Sequence, residues 1–128
     1  MRYNIVAGEE LRKIMIGMLD DPIPFNEDMS KGGYVSEPFT EDFIRERSSV
    51  HDVSVSAYRE KLGRFLEAAD AVTSDDEIHL FFGEDETCLA NRELLIQYFT
   101  GKVRRMILHV VNEYTGEELT QSEAGKQP

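Results

Sequence analysis

The chain is 128 residues long and carries 25 Asp and Glu against 14 Lys and Arg, a formal net charge of −11, with 41% hydrophobic and 30% charged residues. That length and apolar share suit one domain with one core, while the negative excess repels DNA, RNA and anionic membranes. A divalent cation or a basic protein surface is the partner such a charge favours, although many acidic surfaces do no more than keep a protein dissolved.

The single cysteine, Cys88, has no internal partner, which points to a reducing, cytoplasmic setting. The opening Met1-Arg2-Tyr3-Asn4 leads directly into apolar residues, without the pattern of a secretory leader. No apolar run approaches the ~20 residues of a membrane helix.

Residues 2–6 (RYNIV) end in β-branched residues before Ala7-Gly8, which predicts a strand. From Glu9 the period changes. Leu11, Ile14, Met15, Met18 and Leu19 recur at helical spacing over 9–21, and Glu9 and Glu10 occupy the first turn, where carboxylates complement the helix dipole. Pro22 is the expected stop. Residues 22–39 hold three of the four prolines and the pair Gly32-Gly33. Within them, 23–25 read as a short strand that Pro24 confines to a sheet edge or a strand end. The remainder reads as a long loop of a kind that is often functional. Thr40 is the expected N-cap of a short helix over 40–50.

Ser54 or Ser56 caps the next helix, which runs to 72 with Ala57, Tyr58, Leu62, Phe65, Leu66, Ala69 and Val72 on one stripe. Gly63 weakens it by about 1 kcal/mol relative to alanine. Residues 78–82 (IHLFF) are nearly all apolar, as in a strand covered on both faces, and stop at Gly83. A helix carrying Cys88, Leu89, Leu94, Leu95, Tyr98 and Phe99 follows, with Gly101 as its stop. Residues 103–111 (VRRMILHVV) read as the last strand. The polar segment 114–128 is expected to be a disordered tail outside a single α/β domain over 1–113.

Residues 3–11 (YNIVAGEEL) and 78–89 (IHLFFGEDETCL) both run strand, glycine, acid, helix. Strands alternating with helices predict right-handed βαβ crossovers and a mostly parallel sheet of three to four strands with helices on it. In such sheets ligands bind beyond the carboxyl ends of the strands, here Ala7-Gly8-Glu9-Glu10 and Gly83-Glu84-Asp85-Glu86. One glycine per turn, followed by acids, does not make a cradle for a bare phosphate. The same acids can supply oxygen ligands to a divalent metal such as Mg²⁺: Glu84 and Asp85 foremost, with Glu9 and Asp28. A bound metal would then bridge to phosphate. The plainer account is that first-turn acids serve the helix dipole.

Cys88 falls in a helix first turn, where the dipole lowers a thiol's pKa, and His79 and His109 are the available bases. Both histidines stand in apolar strands and read better as facing the core or a sheet face, with Cys88 a small buried hydrophobe. His51, in the polar stretch SSVHDVS, reads as solvent-exposed. Arg45 and Arg47 read either as closing over an anion or as a solvated helix face. Lys102, Arg104 and Arg105 gather at the amino edge, opposite the ligand side, without the interleaved aromatics of an RNA-binding sheet.

YNIVAGEEL, the acid and glycines after the Pro-rich start of PIPFNEDMSKGG, the aromatic-rich FTEDFIRERSSVHDVSVSAYREKLGRFL, and the acid-Cys-Asn helix start of IHLFFGEDETCLAN together resemble the domain-of-unknown-function 1835 family. The resemblance spans residues 2–112 and is most specific over 83–91. A segment that often ends in Gly-Pro in that family reads Gly32-Gly33 here. The resemblance implies a Rossmann-like α/β fold and site positions at Gly8, Glu9, Asp28, Asp85, Cys88 and Asn91. It implies no activity.

Two functions follow. One is a ligand- or protein-binding α/β module using Gly8, Glu9, Asp28, Gly83, Glu84, Asp85, Cys88 and Asn91, expected as a homodimer because a small sheet exposes its edges. The other is a metal-assisted enzyme acting on a phosphate- or nucleotide-like substrate at the acidic carboxyl edge. The module is favoured, since no complete catalytic constellation is visible. Asn91 separates them: it points into the crevice in an enzyme and hydrogen-bonds the loop at 26–33 in a scaffold.

Overall fold

Strand residues alternate between two faces, and in this chain both faces are apolar along the central strands. The computed structural model, which describes residues 1–125, joins β1 (Arg2–Val6), β2 (Ile23–Pro24), β3 (Glu77–Phe82), β4 (Arg105–Val111) and β5 (Glu118–Glu123) into one sheet in the order β2-β1-β3-β4-β5. The first four strands are parallel and β5 runs antiparallel to β4. The helices are α1 (Glu9–Met15), α2 (Glu41–Val50), α3 (Val55–Lys61), α4 (Gly63–Ala71) and α5 (Glu86–Phe99).

Ile5, Ile78, Leu80, Phe82 and Met106 pack with residues of α2 to α5 in the main core. Val6, Phe81 and Val111 pack on the other face with Leu11 and Met15 of α1. The helix linking β1 to β2 and the helix linking β3 to β4 therefore lie on opposite faces. Strand order reverses between β1 and β3, which leaves a crevice at their carboxyl ends.

Side-chain caps account for the starts of α2, α3 and α5. Thr40 accepts a hydrogen bond from the Phe43 amide (3.3 Å), Ser54 from Ala57 (3.0 Å) and Asp85 from Cys88 (2.7 Å). The helix expected to run to 72 is instead two, α3 and α4, meeting at buried Leu62 just before Gly63, a weak helix former. α1 ends at Met15, well before Pro22, with Gly17 following its C-cap Ile16. β2 is an edge strand, as Pro24 requires.

Phe39 adopts φ 66°, a left-handed conformation that costs a residue bearing a Cβ about 1–2 kcal/mol. Its ring sits among Phe65 (4.9 Å between centroids), Tyr98 (4.8 Å), Phe43 (5.2 Å) and Phe25 (6.1 Å). Such ring pairs contribute about 0.5–1.5 kcal/mol each beyond burial, enough to hold the strained residue in place.

The sheet has five strands where three to four were expected, and β5 lies inside the segment read as a disordered tail. ELTQSE is exposed at every residue, so it has no apolar alternation to reveal it. It is held by the ladder to β4 and by the turn before it. There the Asn112 side chain accepts from the Tyr114 and Thr115 amides, at 2.8 and 3.2 Å, and Gly116 takes φ 77°. Residues 126–128 of the expected tail lie outside the described residues. Among the described residues no helix is long and apolar enough to cross a membrane.

Candidate functional site

At the strand-order reversal, β1 runs out into Ala7 and Gly8, β3 into Gly83, and the β4–β5 turn brings Glu113 and Tyr114 alongside. Between them lies an open cleft of about 480 Å³. Gly8, Glu9, Leu11 and Ile14 form one wall and Asp85, Thr87 and Cys88 the other, with Glu113 and Tyr114 at the third side.

Three side chains converge there. Asp85 caps α5, the Cys88 thiol donates to Glu113 Oε1 at 3.3 Å, and the two carboxyl groups hydrogen-bond each other. One ligand atom from each of Asp85, Cys88 and Glu113 lies within 4.8 Å of the others. The environments of the acids differ. The Cys88 amide, then Glu113, hold Asp85 below the usual carboxylate range, while burial, then Asp85, push Glu113 above it. Of the two, Glu113 is therefore the acid that holds a proton more readily. Burial also drives the Cys88 thiol well above its usual pKa, with neighbouring carboxylates adding to the effect. Cys88 is thus the small buried residue expected from the sequence, and burial outweighs the pull of the helix dipole on its thiol.

Gly83 makes this arrangement possible. A Cβ added there would stand 2.5 Å from Glu113 Oε2 and 2.7 Å from its Cγ. Glu113 lies directly over the glycine, whose carbonyl accepts from Arg92 at 3.1 Å.

The other residues singled out from the sequence disperse. Gly8 is extended and lines the cleft. Glu9 also lines it but is paired with Arg12 at 2.6 Å, which holds its carboxyl below the ordinary value. Glu84 is exposed and outside the three-residue cluster. Asp28 turns to its own loop, accepting from the Ser30 amide (3.0 Å) and hydroxyl (2.5 Å), and is hydrogen-bonded to Thr87. Asn91 is fully buried: its Oδ1 accepts from the Met29 amide at 2.8 Å and its Nδ2 donates to the Glu27 carbonyl at 2.7 Å. Of its two possible placements, Asn91 takes the one that holds the loop.

A second polar centre was not foreseen. The Glu27 carboxylate accepts from Arg47 Nε and Nη2 (3.0 Å each), the Tyr58 hydroxyl (2.6 Å) and the Asp28 amide (2.7 Å), and it touches His51 Nε2. Arg47 also donates to the carbonyls of Asp28, Lys31 and Gly33. Burial alone would raise the Glu27 pKa, but Arg47, Tyr58 and the Asp28 amide together bring it down to about 2. His51 is therefore not a solvent-exposed residue, and Arg47 is neither a solvated helix face nor a free anion clamp. Arg47 falls in phase with Phe43 and Ile44 on the buried stripe of α2, and that spacing was the available signal.

No protein-family model, curated protein or solved structure matches the chain, and the site is accordingly read from its own chemistry.

Proposed function

We propose that the protein is a Rossmann-like ligand-binding module that holds a small molecule in the cleft between the amino ends of α1 and α5. The Asp85–Glu113 pair at the strand-order reversal carries this reading: two carboxyl groups with pKa values driven apart, facing an open cleft of ligand size. Both carboxyl groups offer oxygens to a ligand's donors, and Glu113 is the more readily protonated of the two. Leu11, Ile14 and the exposed Tyr114 ring offer apolar contact. This lining suits a neutral or cationic molecule with hydrogen-bond donors, and it repels a bare phosphate.

A second reading, a metal-assisted enzyme acting on a phosphate-like substrate, is favoured by the convergence of Asp85, Cys88 and Glu113. A thiol between two carboxylates suits a borderline cation such as Zn²⁺ better than Mg²⁺, which prefers oxygen ligands alone.

Thermal-shift measurements with amines, nucleosides and divalent metals separate the two. A ligand at a hundred times its Kd stabilises the fold by about 2.7 kcal/mol, a rise of roughly 3–6 °C. A rise with a donor-bearing molecule that Asp85→Asn abolishes supports the module. A rise with Zn²⁺ alone that Cys88→Ser abolishes supports the enzyme. A flat response to both classes overturns the cleft as the site.

A further inference from the structure

Glu77, His79, His109 and Glu118 form a row on the α1 face of the sheet, away from the cleft. His79 Nε2 lies 3.1 Å from Glu77 Oε1, His79 Nδ1 lies 2.8 Å from His109 Nε2, and His109 Nδ1 is hydrogen-bonded to Glu118 Oε1. Both rings are 6% exposed, and His109 stacks on Phe81 with centroids 4.2 Å apart. The row crosses β3, β4 and β5, linking the antiparallel edge strand to the parallel core.

Protons can be counted along it. Each of the three hydrogen bonds needs one proton. An ionised carboxylate brings none and a neutral imidazole brings one. Two carboxylates and two neutral histidines therefore supply two protons for three bonds. With only those two, one bond fails, and keeping both carboxylates bonded leaves lone pairs facing across the 2.8 Å gap. A fourth proton on the rings would set two N–H groups against each other.

We propose that the row holds one added proton, shared between the two histidines and the carboxylates at its ends, and that this proton is a pH-sensitive latch fastening β5 to the sheet. Its uptake takes one proton from solvent and reduces the row's two negative charges to one, with no covalent bond between heavy atoms formed or broken. Burial, with the charges of Arg2 and His109, lowers the His79 pKa against the opposing Glu77 hydrogen bond.

The other charges around the row are already engaged. Arg2 of β1 is hydrogen-bonded to Asn4, Arg104 pairs with Glu77, and Arg105 pairs with Glu123. On α1, Glu9 pairs with Arg12 and Glu10 with Lys13. Among the described residues β5 has β4 as its only strand neighbour and is exposed throughout, so loss of the Glu118–His109 bond falls on an exposed edge strand. The turn into β5 carries Glu113 and Tyr114 to the cleft, but the latch rests on the row alone and stands whether or not the cleft binds a ligand.

The test is ¹⁵N NMR of the unmodified protein from about pH 5 to 8, the range in which histidines titrate. The expected result near neutral pH is a scalar coupling between His79 Nδ1 and His109 Nε2 across their hydrogen bond, with three of the four ring nitrogens protonated. Raising the pH should remove the coupling, and the amides of β5 should lose exchange protection at the same midpoint. In Glu118→Gln the midpoint should fall by about one unit, because an anionic end of the row is gone. Two neutral rings without coupling throughout the range overturn the proposal, as does β5 protection indifferent to the midpoint. The deciding spectra are those of the unmodified protein, so the outcome stands whether or not the variant folds.

Discussion

Arg47 and Glu27 meet in two N–H to carboxylate hydrogen bonds of 3.0 Å, and neither side chain reaches solvent. The pair lies at the centre of the loop that joins β2 to α2. Its remaining donors go to the carbonyls of Asp28, Lys31 and Gly33. A long, prolyl and glycyl segment is thereby wrapped around one buried ion pair.

Removing one partner is costly, because the other is left charged and dry. Arg47→Met should destabilise the fold by about 3–5 kcal/mol, measured by urea unfolding. Combining it with Glu27→Gln should cost less than the two single changes added together, since the pair fails as a unit. Additive losses in the double-mutant cycle would show that the two residues act separately.

The same carboxylate sets a pH dependence. The Glu27 pKa falls from its ordinary range, about 4.3, to about 2 in the fold. A depressed carboxylate contributes stability that is fully present above the unfolded value and is lost as pH falls through the folded one. The wild-type urea midpoint should therefore drop between about pH 4 and pH 2. Glu27→Gln, less stable at neutral pH, should lose less over that interval. Parallel curves for the two proteins would remove Glu27 as the acid-sensitive group.

How far these features were legible in the sequence depended on what each residue displays to its neighbours in the chain. IHLFF and RYNIV announce buried strands because burial on both faces selects apolar residues at every position. Pro24 announces an edge because it cannot donate to a ladder. ELTQSE announces nothing, since an exposed edge strand lives on backbone hydrogen bonds that any polar sequence can make. Glu113 reaches the cleft through that unforeseen hairpin, which is why the acid pair was read as Glu84 with Asp85. The phase of Arg47 with Phe43 and Ile44 marks it for burial, but only the fold brings its partner Glu27 to it over a separation of 20 residues. Asn91 was the instructive case: its two possible roles could be stated beforehand, and only tertiary structure decides between them.

Cys88 should behave as an inert thiol despite its place in the first turn of α5. Burial and the neighbouring carboxylates disfavour the thiolate, so iodoacetamide near neutral pH should leave the native protein unmodified and label it in urea. Gly83→Ala should change this. The new methyl would stand within 2.7 Å of the Glu113 side chain and push it off the turn, which breaks the Cys88–Glu113 hydrogen bond. Labelling should then become measurable in the folded state. Rapid labelling of the native wild type would mean that the dipole, and not burial, governs the thiol.

Asn91 gives the sharpest check on how the loop at 26–33 is held. Asn91→Ala leaves the Met29 amide and the Glu27 carbonyl without their partner. Each unsatisfied group costs about 1–3 kcal/mol, yet the loop keeps its second anchor in Arg47. The loss should therefore appear first as local opening: exchange at the Met29 amide should accelerate more than exchange in β3 or β4, which open only with the whole fold. Asn91→Asp keeps the acceptor for Met29 but presents a second acceptor to the Glu27 carbonyl, so it should open the loop as well. If Met29 exchange in both variants stays at the wild-type rate, Asn91 is not what fastens the loop, and the cleft becomes the place to look for its role.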